Sequence, residues 1–185
     1  MERELGRRPD PNRREELLLA VVDYLLDQGI HRTSLRPLAA ALATSTYTFV
    51  YHFGSKEDLV VEALGAIADR HARAIGRLGE EPTFNDLVHG YWRWSVEVDR
   101  LRTARVATDA RSLVRTQPDL YRPFVETLQS DLTLAIRSAL ARAGHGSADA
   151  EMVVAALTGT LQELAALGDS ASASATVERL LVLVD

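Results

Sequence analysis

The sequence predicts an all-α protein, and three observations carry that expectation. Apolar residues recur at spacings of three and four along nearly all of its 185 residues. No run of five or more residues alternates strictly between apolar and polar, as a half-buried strand would. Ser, Thr, Pro and Gly stand at the segment edges where helices start and stop. With 46% apolar residues the chain is rich enough to bury a substantial core.

The first helix is expected from about Asn12 to Gln28, with Leu17, Leu18, Val21, Tyr24 and Leu25 on its apolar stripe and Gly29 as its stop. A short helix follows over Thr33 to Leu42, where Leu35, Leu38, Ala39 and Leu42 give the i, i+3, i+4, i+7 pattern. Thr33 or Ser34 caps it, and Pro37 sits in its first turn, where a missing N–H is tolerated. After Ala43 and Thr44, a third helix begins with Ser45 as N-cap and runs to about His52. Two short helices across a tight turn make a helix-turn-helix candidate.

Gly54 ends that helix and Ser55 caps a long one, whose stripe is Leu59, Ala63, Ile67, His71, Ile75 and Leu78, with a stop near Gly79. Further helices are expected at Phe84 to Arg100, Thr103 to Arg115, Asp119 to Ala143, Ala148 to Leu167 and Thr176 to Val184. The Ser- and Ala-rich run Gly168 to Thr176 reads as a loop. A division at 58/59 separates an N-terminal three-helix unit, residues 1–58, from a larger antiparallel helical unit, residues 59–185.

There are no cysteines, which excludes disulfides, thiolate zinc sites and cysteine nucleophiles and fits a reducing cytoplasm. The N-terminus is charged and has no apolar core of a signal peptide, and polar residues interrupt the most apolar stretch, Ala155 to Leu167. No signal peptide and no membrane partner are therefore expected. The net charge of -5 is the opposite of a nucleic-acid binder's usual footprint. Residues 1–58 hold eight Lys/Arg against nine Asp/Glu, so a case for DNA rests on where the few cations sit. Lys56 is the only lysine.

At about 100° per residue, Phe49, Phe53, Thr46 and Val50 share one side of the third helix, the expected buried face. Tyr47, Tyr51, Thr48 and His52 collect on the other. Hydroxyls and imidazoles bond phosphate oxygens and base edges, and aromatic rings press on thymine methyls, so this patch suits DNA. It equally suits solvent or a protein partner. The arginines at 3, 7, 8, 13 and 14 form an arm able to reach DNA, diluted by Glu2, Glu4 and Asp10.

The segment Thr33 to Leu59, TSLRPLAAALATSTYTFVYHFGSKEDL, resembles the signature of the tetracycline-repressor (TetR) family. The resemblance lies in an aromatic-rich recognition helix followed by Ser55, Lys56, Glu57 and an apolar residue, with Thr33, Arg36, Ala39, Ser45, Tyr51, His52 and Phe53 in register. It departs at Ala43, where glycine is common, at Pro37, and at Val50, where an aromatic is common. The resemblance implies a homodimeric, cytoplasmic repressor that holds double-stranded operator DNA and is released by a small-molecule effector, with no cofactor and no catalysis. It implies that Thr33 and Lys56 hold phosphates, that Thr46 and Tyr47 approach bases, and that Ser45, Thr48, Tyr51 and His52 complete the contact set. The C-terminal unit is then a ligand-binding and dimerisation domain.

In that unit, Phe84, Leu87, Val88, Tyr91, Ser95 and Val98 share one helix face, with Trp92 and Trp94 on its flanks. These rings are core or cavity lining. Tyr91, Trp92 and Trp94 are the candidate ligand contacts. The helix from Ala148 to Leu167 is apolar around much of its circumference and needs a second partner, which a symmetric dimer supplies, with Ala155 and Gly159 allowing close approach. Enzyme motifs are lacking: there is no H-E-x-x-H, G-x-S-x-G, Walker loop or G-x-G-x-x-G. A helical carboxylate metalloenzyme needs Glu-x-x-His pairs, and Asp86-x-x-His89 is the nearest approach. A helical protein-interaction module is the other alternative.

Overall fold

The computed structural model describes residues 11–31, 33–78, 80, 83–144, 146 and 148–184. Among these it contains nine helices and no strand: α1 (Pro11–Gln28), α2 (Leu35–Ala41), α3 (Thr46–Phe53), α4 (Lys56–Leu78), α5 (Phe84–Val96), α6 (Val98–Leu113), α7 (Pro118–Ala143), α8 (Ala148–Leu167) and α9 (Ser170–Val184). The expected all-α class is what forms. Arg3, Arg7, Arg8 and the stop at Gly79 lie outside the described residues.

The chain divides into two compact units at 66/67, a boundary that falls inside α4. In the first, α1 buries Leu17, Val21, Val22 and Leu25. These belong to a core with Leu38 of α2, Phe49 and Phe53 of α3 and Leu59 of α4. In the second, α8 packs against α6, α7 and α9. By length and composition alone Asp149–Leu167 is apolar enough to cross a membrane, with a mean hydropathy of 1.2. Its Val153, Val154, Leu157, Leu161 and Leu164 are instead core of this unit. Gly90 lets α5 run close to α4, since a Cβ there would lie 2.8 Å from the Leu78 Cδ2.

Two boundaries depart from expectation. The helix expected over Phe84 to Arg100 stops at Val96, because Glu97 turns to φ -56°, ψ 138° and restarts the chain as the N-cap of α6. Its carbonyl accepts from the amides of Arg100 (2.8 Å) and Leu101 (3.1 Å). The side chain of Val98, expected on the α5 face, lies outside what the structure describes. The expected loop from Gly168 to Thr176 shrinks to two residues: Gly168 takes φ +77°, and Asp169 caps α9 by accepting from the Ser172 amide at 3.0 Å. Alanine and serine then continue as helix because Ala173 and Val177 are buried.

Candidate nucleic-acid interface and ligand cavity

The turn between α2 and α3 shows how a non-glycine sequence makes this bend. Ala43 has φ +47°, while the Thr44 amide reaches the Ala39 carbonyl (2.9 Å) and the Ala43 amide the Ala40 carbonyl (3.3 Å). This is a Schellman termination with alanine in the left-handed position usually given to glycine. A Cβ in that region costs about 1–2 kcal/mol, partly offset by alanine's lower unfolded-state entropy. Ala43→Gly is thus expected to stabilise the first unit by about 0.5–1 kcal/mol, read as a raised denaturation midpoint at unchanged slope.

Ser45 is the N-cap of α3: its Oγ accepts from the Thr48 amide at 3.1 Å and lies 2.8 Å from the Thr48 hydroxyl. Both residues thus hold the helix start while keeping hydroxyls near the surface. Gly54, at φ +86°, ends the helix, and Ser55 and Asp58 close a reciprocal cap on α4, Ser55 Oγ to Asp58 Oδ2 at 2.6 Å and Asp58 N to Ser55 Oγ at 3.0 Å.

The exposed surface of α3 is aromatic. Tyr47 is 73% exposed and stacks with Tyr51 at 6.2 Å, and Tyr51 meets the His52 ring edge-on at 5.1 Å. Thr46 is exposed as well, and Lys56 is half-exposed at the start of α4. Thr46 and Val50, expected on the buried face, are not buried; only Phe49 and Phe53 are. An eight-residue helix resting on one core has room for one ring per turn, so its flanks stay in solvent. Thr33 is 6% exposed and its hydroxyl donates to the Gly29 carbonyl at 3.3 Å, so its side chain is committed to the α1–α2 connection.

A residue whose role sequence reasoning missed fixes this surface. Arg14 donates to both carboxylate oxygens of Glu62 (2.6 and 2.7 Å) and to the His52 carbonyl (3.1 Å), with its guanidinium over the Phe53 ring. It ties α1 to the last turn of α3 and to α4, and is not a free member of a DNA-reaching arm. Arg13 pairs with Glu16.

The second unit contains a partly open cavity of about 50 Å³. Tyr91 and Trp94 line it, together with His71 of α4 and residues of α6, α7 and α8. Trp92 does not line it: it is 7% exposed in the core, and its indole N–H donates to Ser174 at 3.3 Å. It lies one position from Tyr91 and two from Trp94, about 100° and 200° round the helix, which turns it away from the cavity side. His71 packs edge-on against Tyr91 and Trp94 at 6.3 and 5.6 Å. Burial of the Tyr91 phenol pushes its pKa up to about 12, with the Ser95 hydroxyl and Arg111 opposing the shift.

Burial lowers the His71 pKa to about 4, so it is neutral in the fold. Because its unfolded-state pKa is near 6.5, protons bind the unfolded chain preferentially between these values. Stability carried by neutral His71 is therefore present above pH 6.5 and lost as pH falls towards 4. The loss reaches about 3 kcal/mol at most. His71→Phe should flatten this part of the wild-type profile, as measured by denaturant unfolding across that window.

Asp86 is occupied in capping α5 from Thr83, and His89 lies 3.6 Å from Glu178. Among the described residues no group of three metal-ligating side chains converges.

A three-helix head with a turn-linked pair of short helices, whose second member presents aromatic and hydroxyl groups, has the make-up of a helix-turn-helix. Residues 15–63 match the family model for bacterial regulatory proteins of the tetR family. The chain is 28% identical over 96 residues to the transcriptional regulator HbdR of Aromatoleum sp. (strain CIB), a match spanning 51% of this chain and 42% of that protein. The chain thus aligns with less than half of that relative's length. Its fold resembles the multidrug binding protein EbrR, solved with imidazole, at 22% identity and a TM-score of 0.71 over 98% of this chain and 95% of that one. It also resembles a candidate TetR-family regulator from Rhodococcus sp., at 20% identity and a TM-score of 0.74 over 94% and 97% of the two chains.

Proposed function

We propose that this chain is a TetR-family transcriptional regulator, a cytoplasmic, homodimeric repressor that binds a palindromic operator through α3 and releases it when a small molecule occupies the cavity of the second unit. The observation that carries the DNA half is the outward Tyr47–Tyr51 stack on a helix whose start is capped by Ser45 and whose end is pinned by Arg14. Rigid, exposed rings are suited to base edges, while Lys56 and the Ser45 and Thr48 hydroxyls serve phosphates. Two such helices must sit about 34–36 Å apart to enter successive major grooves.

The dimer reading is supported by what α7 and α8 leave uncovered. Leu134 is 66% exposed and Met152 51%, flanking the Arg137–Glu151 ion pair that bridges the two helices. A Cβ on Gly159 would meet nothing within 4 Å, so no neighbour within the protomer requires glycine there. The sensing reading is supported by continuity: α4 begins with Lys56 and carries His71 to the cavity wall. A ligand moves the DNA equilibrium only by its differential affinity for the two states, and operator must weaken ligand binding by the same factor.

Selection of genomic fragments by the purified protein tests the first step. A pseudo-palindrome should enrich. Tyr47→Ala should lose about 1–3 kcal/mol on that operator with less effect on other DNA, while Lys56→Ala should weaken all sequences alike and reduce the salt slope by about one. A folded protein that enriches no sequence would leave the patch to a protein partner.

A further inference from the structure

The charge of the cavity wall is one-sided, and this bears on what the proposed sensing unit senses. Two guanidinium groups, Arg100 and Arg111, line it, and among the described residues no Asp or Glu does. Arg100 sits half-exposed with its guanidinium 5.3 Å from the centre of the Trp94 ring and pairs with Glu97 at 3.9 Å. Arg111 is half-buried and makes no ion pair among the described residues. It stands near enough to the Tyr91 phenol for each to feel the other's charge.

Two buried polar atoms face the same space without partners. Ser95 is 4% exposed and its Oγ, though close enough to the Tyr91 phenol to act on it, forms no hydrogen bond of good geometry; His71 is 6% exposed and its Nδ1 is unpaired. Buried polar groups in native folds are nearly always satisfied, so orphans on a cavity wall mark where a guest's polar end belongs. Tyr91 and Ser95 are one turn apart on α5, so the donors at Arg111, Tyr91 and Ser95 converge on one side of the cavity. The apolar part of the wall is Trp94, Ala104, Ala107, Leu128, Leu132 and Leu161.

We propose that the cavity takes a small organic carboxylate with a flat apolar body, its carboxylate held by Arg111 with the Ser95 hydroxyl and its body against Trp94. A planar guanidinium matches a carboxylate in two parallel hydrogen bonds and is the usual partner for one in a partly dehydrated site. A cation would face two guanidiniums, and a neutral guest would leave Arg111 desolvated and uncompensated. At about 50 Å³ the partly open cavity admits only water-sized guests, so the half-exposed Arg100–Trp94 wall must move to admit this ligand. Thr158 and Gln162 place α8 on the same wall, which gives the guest a hold on the proposed dimer helix.

This inference rests on the sensing role proposed above, and the test separates the two. The full-length protein is titrated with 3-phenylpropionate and 2-naphthoate and with their primary amides, followed by tryptophan emission and calorimetry. Both acids should bind at least roughly tenfold more tightly than their amides. Arg111→Gln should abolish that preference without weakening the amides, and Arg111→Lys should restore part of it. Ser95→Ala provides a second variant, expected to weaken the acids several-fold, should the Arg111→Gln protein fail to fold by circular dichroism. Equal binding of acid and amide, acid binding indifferent to both substitutions, or no acid binding at millimolar concentration overturns the inference. Acids that bind through Arg111 but leave operator affinity unchanged uphold the site and remove the sensing role. A neutral or cationic compound that releases operator independently of Arg111 does the reverse.

Discussion

Phe49→Ala is expected to unfold the first unit under conditions where Val50→Ala is nearly silent. Phe49 is 1% exposed and is the largest of the fully buried side chains, so truncation loses its transfer energy and leaves a cavity that three short helices cannot fill by collapse. The loss should be about 3–5 kcal/mol, comparable to the whole stability of a small domain. Val50 is 47% exposed, and its truncation should change stability by about 0.5 kcal/mol or less. Thermal and denaturant unfolding of the two variants distinguishes this placement from a helical wheel, which puts both residues on the buried face. If Val50→Ala were as damaging as Phe49→Ala, the exposed flank described for α3 would be wrong.

The second large effect concerns α8. Leu157 is fully buried and Leu161 is 6% exposed within a single protomer, so neither is available as a free contact for a second subunit. Leu157→Glu should therefore destroy the fold of the second unit instead of dissociating a folded dimer. A carboxylate there has no partner, and its desolvation cost exceeds several kcal/mol, enough to remove the whole margin of stability. Met152→Glu, on the exposed side of the same helix, should leave circular dichroism and melting largely intact and shift sedimentation from dimer towards monomer. Insoluble protein from the first and a folded protein of altered assembly from the second is the expected pair of outcomes. A soluble, helical, monomeric Leu157→Glu protein would show that the buried core of α8 is misplaced.

Much of this was readable one residue after another because helices and their ends are local. The 3.6-residue period, Ser45 before α3, Ser55 before α4 and Gly54 between them depend on neighbours within one turn, so the chain itself determined the all-α class, the turn-linked helix pair and the aromatic face of Tyr47 and Tyr51. The break at Glu97 was not readable. Glutamate is a good helix former, and the apolar spacing runs on through it, so only the packing of α6 against α7 and α8 decides that the chain must turn. Ser45 and Asp169 are caps by the same chemistry, yet Asp169 was obscured by a low-complexity run whose helicity depends on burying Ala173 and Val177. The sides of helices were decided by tertiary structure for a related reason: a period says which residues share a face, and only neighbours from distant sequence say how wide that face is. Arg14 joins Glu62 and the His52 carbonyl across 48 and 38 residues, Trp92 turns to Ser174 across 82, and Arg111 meets the Tyr91 surroundings between helices. Such contacts form only after chain segments far apart have been brought together, which is why the residues that pin α3 and charge the cavity wall carried no signal in the sequence.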